Sequence, residues 1–102
     1  MANFVEAAKV DEIKPGHGKQ VEVNGKPIAL FNVDGKFFAI ANTCPHQGGP
    51  LGEGQLADKV VTCPWHGWKF NVETGVSAVV ASVKVPKYEV KVEDGKVMVA
   101  VD

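Results

Sequence analysis

The sequence predicts an all-β protein of antiparallel strands, arranged as a sandwich or a partly open barrel. Three pairs, Asn24-Gly25, Asp34-Gly35 and Asp94-Gly95, can adopt the positive φ angles of a type I′ turn, which joins neighbouring antiparallel strands. Apolar residues recur with period two in segments beside these turns, as they do on a half-buried strand. No window shows a 3.6-residue period with helix caps at both ends. Together these features favour hairpins over helices along the chain.

The turns divide the chain into predicted strands. The segments that flank the first two turns alternate or are rich in β-branched and aromatic residues, and those that flank the third alternate with period two. A shorter β-branched segment lies near the middle of the chain, and Glu73-Thr74-Gly75 marks a further turn after the strand that follows it. The predicted strands are residues 4–10, 20–23, 28–33, 37–41, 60–62, 69–72, 83–85, 88–92 and 97–101.

Two segments interrupt this strand pattern. Residues 42–56 contain four glycines and two prolines with few strand-forming residues. Residues 63–67, Cys-Pro-Trp-His-Gly, interrupt what would otherwise be a hairpin from residue 60 to residue 72. Each of these two loops carries one cysteine and one histidine, so we expect the functional site there.

Length and composition restrict the classes of function. The chain has 102 residues, which suits a single domain over residues 1–102, and 45% of them are hydrophobic. The formal net charge is -1 with no basic stripe or charged tail, so nucleic-acid binding is not expected. No stretch approaches the roughly 18 apolar residues of a membrane span, and the N-terminal residues lack the pattern of a secretory signal. These features predict a soluble, cytoplasmic domain.

The cysteines and histidines form the pattern that best indicates a chemistry. Cys44-x-His46 is followed, after sixteen residues, by Cys63-x-x-His66. Thiolates and imidazoles suit iron–sulfur centres, zinc or copper, and each loop would deliver one sulfur and one nitrogen. Two such loops can place both thiolates on one iron of a [2Fe–2S] cluster and both imidazoles on the other. A structural zinc site is the alternative, although such sites usually show a Cys-x₂₋₄-Cys or His-x₃₋₅-His pair that this sequence lacks.

Other residues of the two loops could surround such a cluster. Gly48, Gly49 and Gly67 can bring the main chain close enough to direct N–H groups at bridging sulfides. Hydrogen bonds of this kind adjust the reduction potential of a cluster. Trp65, beside a histidine, could belong to a docking surface, whereas Trp68 could equally be a core aromatic residue.

The two loops resemble the cluster-binding loops of the Rieske family. The residues that carry the resemblance are Cys44-Pro45-His46-Gln47-Gly48-Gly49-Pro50-Leu51 and Cys63-Pro64-Trp65-His66-Gly67-Trp68. The resemblance extends to chain length and hairpin order. It implies a Rieske-type sandwich or partly open barrel with a small cluster-binding subdomain of two loops, at about residues 42–72. It also implies one [2Fe–2S] cluster per chain, with Cys44 and Cys63 on one iron and His46 and His66 on the other.

The chain departs from the quinol-oxidising branch of this family. That branch has an extra cysteine in each loop, and the two form a disulfide, where this chain has Gly49 and Trp65. It also supplies a serine and a tyrosine hydroxyl to the cluster where this chain has Trp68 and Phe70. Because two donors are missing, we expect a potential near the low end of the Rieske range of about −150 to +300 mV. A third, proline-containing loop usually covers the cluster, and the corresponding residues 77–82 contain no proline.

The resemblance also indicates partners. The second loop is similar to that of ring-hydroxylating oxygenase large subunits, but those enzymes need a mononuclear iron on two further histidines, and only His17 remains here. The resemblance therefore implies a low-potential electron carrier, not an enzyme. It would accept electrons from a flavin-dependent reductase and pass them to a terminal enzyme such as a ring-hydroxylating oxygenase. The alternative is a small Rieske-like subunit of a nitrite reductase or another redox or regulatory complex.

Overall fold

A computed structural model describes residues 3–42, 50–64, 67–78 and 82–101, which form three antiparallel sheets. The described strands are β1 (Asn3–Lys9), β2 (Gly18–Val23), β3 (Lys26–Val33), β4 (Lys36–Ala41), β5 (Gln55–Ala57), β6 (Val60–Thr62), β7 (Lys69–Asn71), β8 (Lys87–Tyr88), β9 (Val90–Glu93) and β10 (Lys96–Val101). Short 3₁₀ helices cover Val10–Glu12 and Leu51–Glu53. The sheets have strand orders β1-β10-β9, β2-β3-β4-β8 and β5-β6-β7. The predicted all-β antiparallel fold is confirmed, and the described strands form no closed barrel.

The three hairpin turns have the predicted backbone conformation. Asn24, Asp34 and Asp94 have φ angles of 51°, 50° and 52°, and the glycine after each is also at positive φ. This is the left-handed pair that a type I′ turn requires. The turns join β2 to β3, β3 to β4 and β9 to β10, as the sequence predicts.

The four-stranded sheet is the middle layer of the molecule, because its two faces belong to two different cores. Along β3, Ile28 and Leu30 belong to a first core, and Ala29 and Phe31 to a second. The first core lies against the sheet of β1, β10 and β9, and the second lies against the sheet of β5, β6 and β7. The buried residues of the second core are Ala29, Phe31, Ile40, Leu51, Val61, Cys63, Phe70, Val72 and Val85.

The structure corrects two of the predicted strands and adds a strand that was not predicted. Residues 83–85 form no strand, because this segment makes only an isolated bridge from Lys84 to Val76. Residues 88–92 are divided at Glu89, where the chain passes from the middle sheet into the sheet of β1 and β10. β5 was not predicted, because only one of its residues, Leu56, has a large apolar side chain.

Among the described residues, no helix combines the length and the apolar character that crossing a membrane requires.

Candidate metal centre

Part of the predicted site lies within the described structure. Cys63 is the predicted ligand that is described, together with the neighbouring Gly67 and Trp68. The other predicted residues of the site lie outside the described residues, namely Cys44, His46, His66, Gly48, Gly49 and Trp65.

Cys63 is held by backbone hydrogen bonds directly after β6. Its N–H donates to the carbonyl oxygen of Trp68 at 2.6 Å, which extends the pairing of β6 and β7 by one step beyond Thr62 and Lys69. Its carbonyl oxygen accepts from the N–H of Gly67 at 3.0 Å. The residue is 1% exposed and is a free cysteine. Both backbone groups of Cys63 are hydrogen-bonded and its thiol is in no disulfide, so the thiol can serve as a metal ligand.

Gly67 allows the second loop to close tightly. Its φ is +72°, a conformation that costs an L-residue about 1–2 kcal/mol. No heavy atom lies within 4 Å of a Cβ built there, so the need for glycine arises from the backbone conformation. The sequence suggested that the N–H of Gly67 could point at a bridging sulfide. In the structure this N–H donates to the carbonyl oxygen of Cys63 within the loop.

Trp68 belongs to the core at the base of the second loop. Its partly buried side chain packs against the second core, and its ring stacks on Phe70 with centroids 6.5 Å apart and an interplanar angle of 28°. Phe70 is fully buried. This packing supports the interpretation of Trp68 as a core aromatic residue.

The first loop is closed at its base by the residues on either side of it. The carbonyl oxygen of Asn42 accepts from the N–H of Leu51 at 2.7 Å, and its side-chain Oδ1 accepts from the N–H of Gly52 at 2.7 Å. The N–H of Asn42 donates to the carbonyl oxygen of Pro27 at 3.1 Å, which fixes this residue to the end of the middle sheet. Asn42 before the loop and Leu51 and Gly52 after it are therefore held together.

The exit of the first loop lies directly beside the second loop. Leu51 is buried in the same core as Cys63. A Cβ on Gly54 would collide with the carbonyl oxygen of Thr62, so only glycine lets this segment lie against β6. Gln55 then pairs with Thr62, one residue before Cys63. The fold thus brings the bases of the two cysteine loops to one end of the β5-β6-β7 sheet.

The third loop begins and ends at the same sheet. The N–H of Ser77 donates to the carbonyl oxygen of Val83 at 2.8 Å, which closes the base of this loop. The N–H of Ala78 donates to the carbonyl oxygen of Lys69 at 2.8 Å, next to Trp68. Residues 79–81, half of the segment 77–82 that was predicted to cover the cluster, lie outside the described residues.

An open cleft marks this end of the molecule. Its volume is about 470 Å³, and it is lined by Glu53, Gln55, Thr62, Cys63, Pro64 and Gly67. A buried free thiol at such a cleft offers a soft sulfur donor, the type of ligand that an iron–sulfur centre requires. Cys63 therefore fits as one ligand of a metal centre at this end of the fold.

Sequence reasoning missed three residues that shape this end of the fold. Asn42, Gly52 and Gly54 fix the base of the first loop, but none is a metal-ligand type. Asn42 directly follows the apolar segment of β4, where asparagine is frequent because its side chain can bond to nearby backbone groups. That signal indicates the end of a strand, and it does not identify the partner ten residues later.

Comparisons with known proteins agree with this geometry. A family model described as Rieske [2Fe-2S] domain matches residues 3–89. The ferredoxin component of naphthalene 1,2-dioxygenase/salicylate 5-hydroxylase systems from Ralstonia sp is 36% identical over 101 residues, which cover 98% of this chain and 97% of that protein.

Two solved structures share the fold over nearly the whole chain. A chain from a complex of reduced oxygenase and oxidized ferredoxin in carbazole 1,9a-dioxygenase has a TM-score of 0.87 and 35% identity, covering 95% of this chain and 92% of that one. A structure assigned as an NADH-dependent nitrite reductase small subunit from Mycobacterium tuberculosis has a TM-score of 0.92 and 27% identity, covering 100% of this chain and 97% of that one.

Proposed function

The chain belongs to the Rieske [2Fe–2S] family, and from that premise we propose that it transfers single electrons from a flavin-dependent reductase to a ring-hydroxylating oxygenase or another redox enzyme. The observation that carries this proposal is its similarity to a dioxygenase ferredoxin component over 97% of that protein's length. The similar chain from a complex of oxygenase and ferredoxin supports an oxygenase as the acceptor. The reductase is the donor that such a carrier requires.

The proposed cluster ligands are Cys44 and Cys63 on one iron and His46 and His66 on the other, with one cluster per chain. When bound, the cluster supplies reversible one-electron oxidation and reduction. The chain contributes the placement of the ligands. Hydrogen bonds on both sides of Cys63 fix its backbone, and the convergence of the two loop bases supports a shared site.

The surroundings of the cluster are proposed to keep its potential low. Gly48, Gly49 and Trp65 are proposed as residues that surround the ligands, together with the described Gly67 and Trp68. Phe70 offers no hydroxyl and is fully buried, so it cannot stabilise added negative charge through a donated hydrogen bond. We therefore expect a potential near the low end of about −150 to +300 mV.

The same proposal covers the organisation and location of the protein. Residues 1–102 form one domain whose cluster-binding part is at about residues 42–72, and it acts as a component of an oxidoreductase system without a substrate site of its own. The chain has two cysteines, and Cys63, the one that the structure describes, is free. A free thiol suits the cytoplasm, because thiols are kept reduced there.

A small subunit of a nitrite reductase is the second candidate. It is supported by the TM-score of 0.92 to the Mycobacterium tuberculosis structure, over the full length of this chain. Here the chain would remain bound to a large enzyme, instead of exchanging between two partners.

Voltammetry of the purified protein as a function of pH tests the cluster and its class. We expect one signal near the low end of the Rieske range, nearly independent of pH around neutrality. A signal well above zero would retain the cluster but exclude the role of a low-potential carrier. A protein with zinc and no redox signal would overturn the cluster assignment.

Binding experiments separate the two candidate functions. A mobile carrier should bind a reductase reversibly, with an affinity that falls as salt is raised, because charged rims guide transient complexes. A subunit should instead co-purify with a large enzyme in a stable complex. Co-purification in a fixed ratio, at salt that dissociates the reductase, would favour the nitrite reductase subunit.

A further inference from the structure

We propose that Asn42 is a positioning residue, whose side chain fixes the base of the first loop and so determines how firmly Cys44 and His46 hold the cluster. The inference rests on the proposed function for the identity of those two ligands. Asn42 is two residues before Cys44 in the chain and is 4% exposed. It is not a ligand type, and its role follows from its hydrogen bonds.

Asn42 joins the entry of the first loop to its exit and to β3. Its backbone is bonded to the carbonyl oxygen of Pro27 and to the N–H of Leu51, at 3.1 Å and 2.7 Å. Its Oδ1 accepts from the N–H of Gly52 at 2.7 Å, a buried bond. The backbone bonds do not involve the side chain, so replacement of Asn42 by alanine or aspartate changes only the side-chain bond to Gly52.

Gly52 is tightly packed, so the bond from its N–H to Asn42 helps to fix the position of the loop exit. A Cβ built on Gly52 would lie 2.8 Å from the backbone nitrogen of Gln20 and 2.9 Å from Oδ1 of Asn42. The segment is therefore held between β2 and the asparagine side chain, with no spare room. Without the side-chain oxygen, the N–H of Gly52 loses its buried partner, and the loop exit is free to shift away to reach water.

The structure provides a matched control in Asn32. It is also 4% exposed, and its side chain also bonds to the backbone, donating to Ile13 O and accepting from Gly35 N at 2.8 Å each. These partners lie in the segment before β2 and in the β3–β4 turn. Substitution of Asn32 by alanine removes comparable bonds without touching the base of the first loop.

The experiment compares Asn42→Ala, Asn42→Asp and Asn32→Ala as cluster-loaded proteins. Release of iron to a chelator is followed by loss of visible absorbance, and midpoint potential and the EPR spectrum of the reduced protein are recorded. We expect Asn42→Ala to release iron roughly tenfold faster than wild type and to change the EPR spectrum, because one buried partner is lost. Asn32→Ala should lose thermal stability but keep the wild-type spectrum and potential.

Asn42→Asp retains an oxygen acceptor for Gly52 and should release iron more slowly than Asn42→Ala, which keeps the test usable if the alanine variant does not fold. Equal release rates and unchanged spectra in Asn42→Ala and Asn32→Ala would overturn the inference, as would a folded aspartate variant that releases iron as fast as the alanine variant. A wild-type protein that binds no cluster would instead refute the proposed function.

Discussion

Leu51 connects the end of the first loop to the core that contains Cys63, so its replacement by alanine tests how the two loops are coupled. The side chain is 0% exposed and belongs to the second core. Deleting a buried leucine side chain costs about 2–5 kcal/mol, because transfer energy is lost and a cavity remains. In a domain of this size that is a large part of a total stability of about 5–15 kcal/mol.

Leu30 provides the matched control. It is also 0% exposed, but its side chain belongs to the first core, on the opposite face of the middle sheet. Both variants should lose a similar amount of stability. Only Leu51→Ala removes packing between the base of the first loop and Cys63, so we expect it to release iron about tenfold faster than Leu30→Ala.

The measurement has two parts, made near 15 °C where small domains are close to their maximum stability. Urea unfolding gives the loss of stability, and release of iron to a chelator gives the retention of the cluster. Equal release rates at equal stability would show that the second core does not couple the loops. A loss below about 1 kcal/mol for Leu51→Ala would contradict its buried packing.

Four further predictions concern single residues. Cys63→Ser should reduce iron and acid-labile sulfide to background, and a full content of both would refute its assignment as a ligand. Trp68→Ser should raise the midpoint potential by offering a hydroxyl donor, whereas an intact cluster with no shift in voltammetry would show that the hydroxyl does not reach a sulfide. Gly67→Ala should cost about 1–2 kcal/mol in urea unfolding because its φ is +72°, and an unchanged stability would argue against that conformation. A hydrogen bond from Lys19 at 2.5 Å, with a second from the backbone of Lys9, holds the pKa of Glu12 below 4.5. The stabilisation from Glu12 is therefore fully present above about pH 4.5 and is lost as the pH falls through the folded-state value. NMR titration should show that Lys19→Ala raises this pKa, and an unmoved titration would contradict the assigned cause.

The turns and most strands could be predicted because their determinants are local. An Asn-Gly or Asp-Gly pair itself supplies the two positive φ angles of a type I′ turn, as at Asn24 and Asp94. The loops were located in the same way, from glycine and proline content and from the cysteines and histidines within them. Cys63 accordingly lies where the strand pattern stops, just after β6.

The remaining features depend on contacts between distant parts of the chain. The pattern around Glu89 is continuous in sequence, but β8 pairs with β4 and β9 pairs with β10, so the break arises from a change of sheet. The role of Asn42 depends on Gly52, and that of Gly54 on Thr62, and neither pairing has a local sequence signal. Such residues become identifiable only when the backbone path is known.

The structure fixes the bases of the two cysteine loops at one end of the fold, where the proposed cluster would be bound. The base of the second loop is the last step of the β6–β7 ladder, and the base of the first loop is held by Asn42 and packed through Leu51. Both bases depend on backbone hydrogen bonds and on one shared core, and neither depends on an exposed side chain. Sites supported by strands and packed cores keep their geometry better than sites on unsupported loops. Electron transfer at this end should therefore require little rearrangement of the chain, and substitutions in the first core, beyond the middle sheet, should change stability without changing the potential.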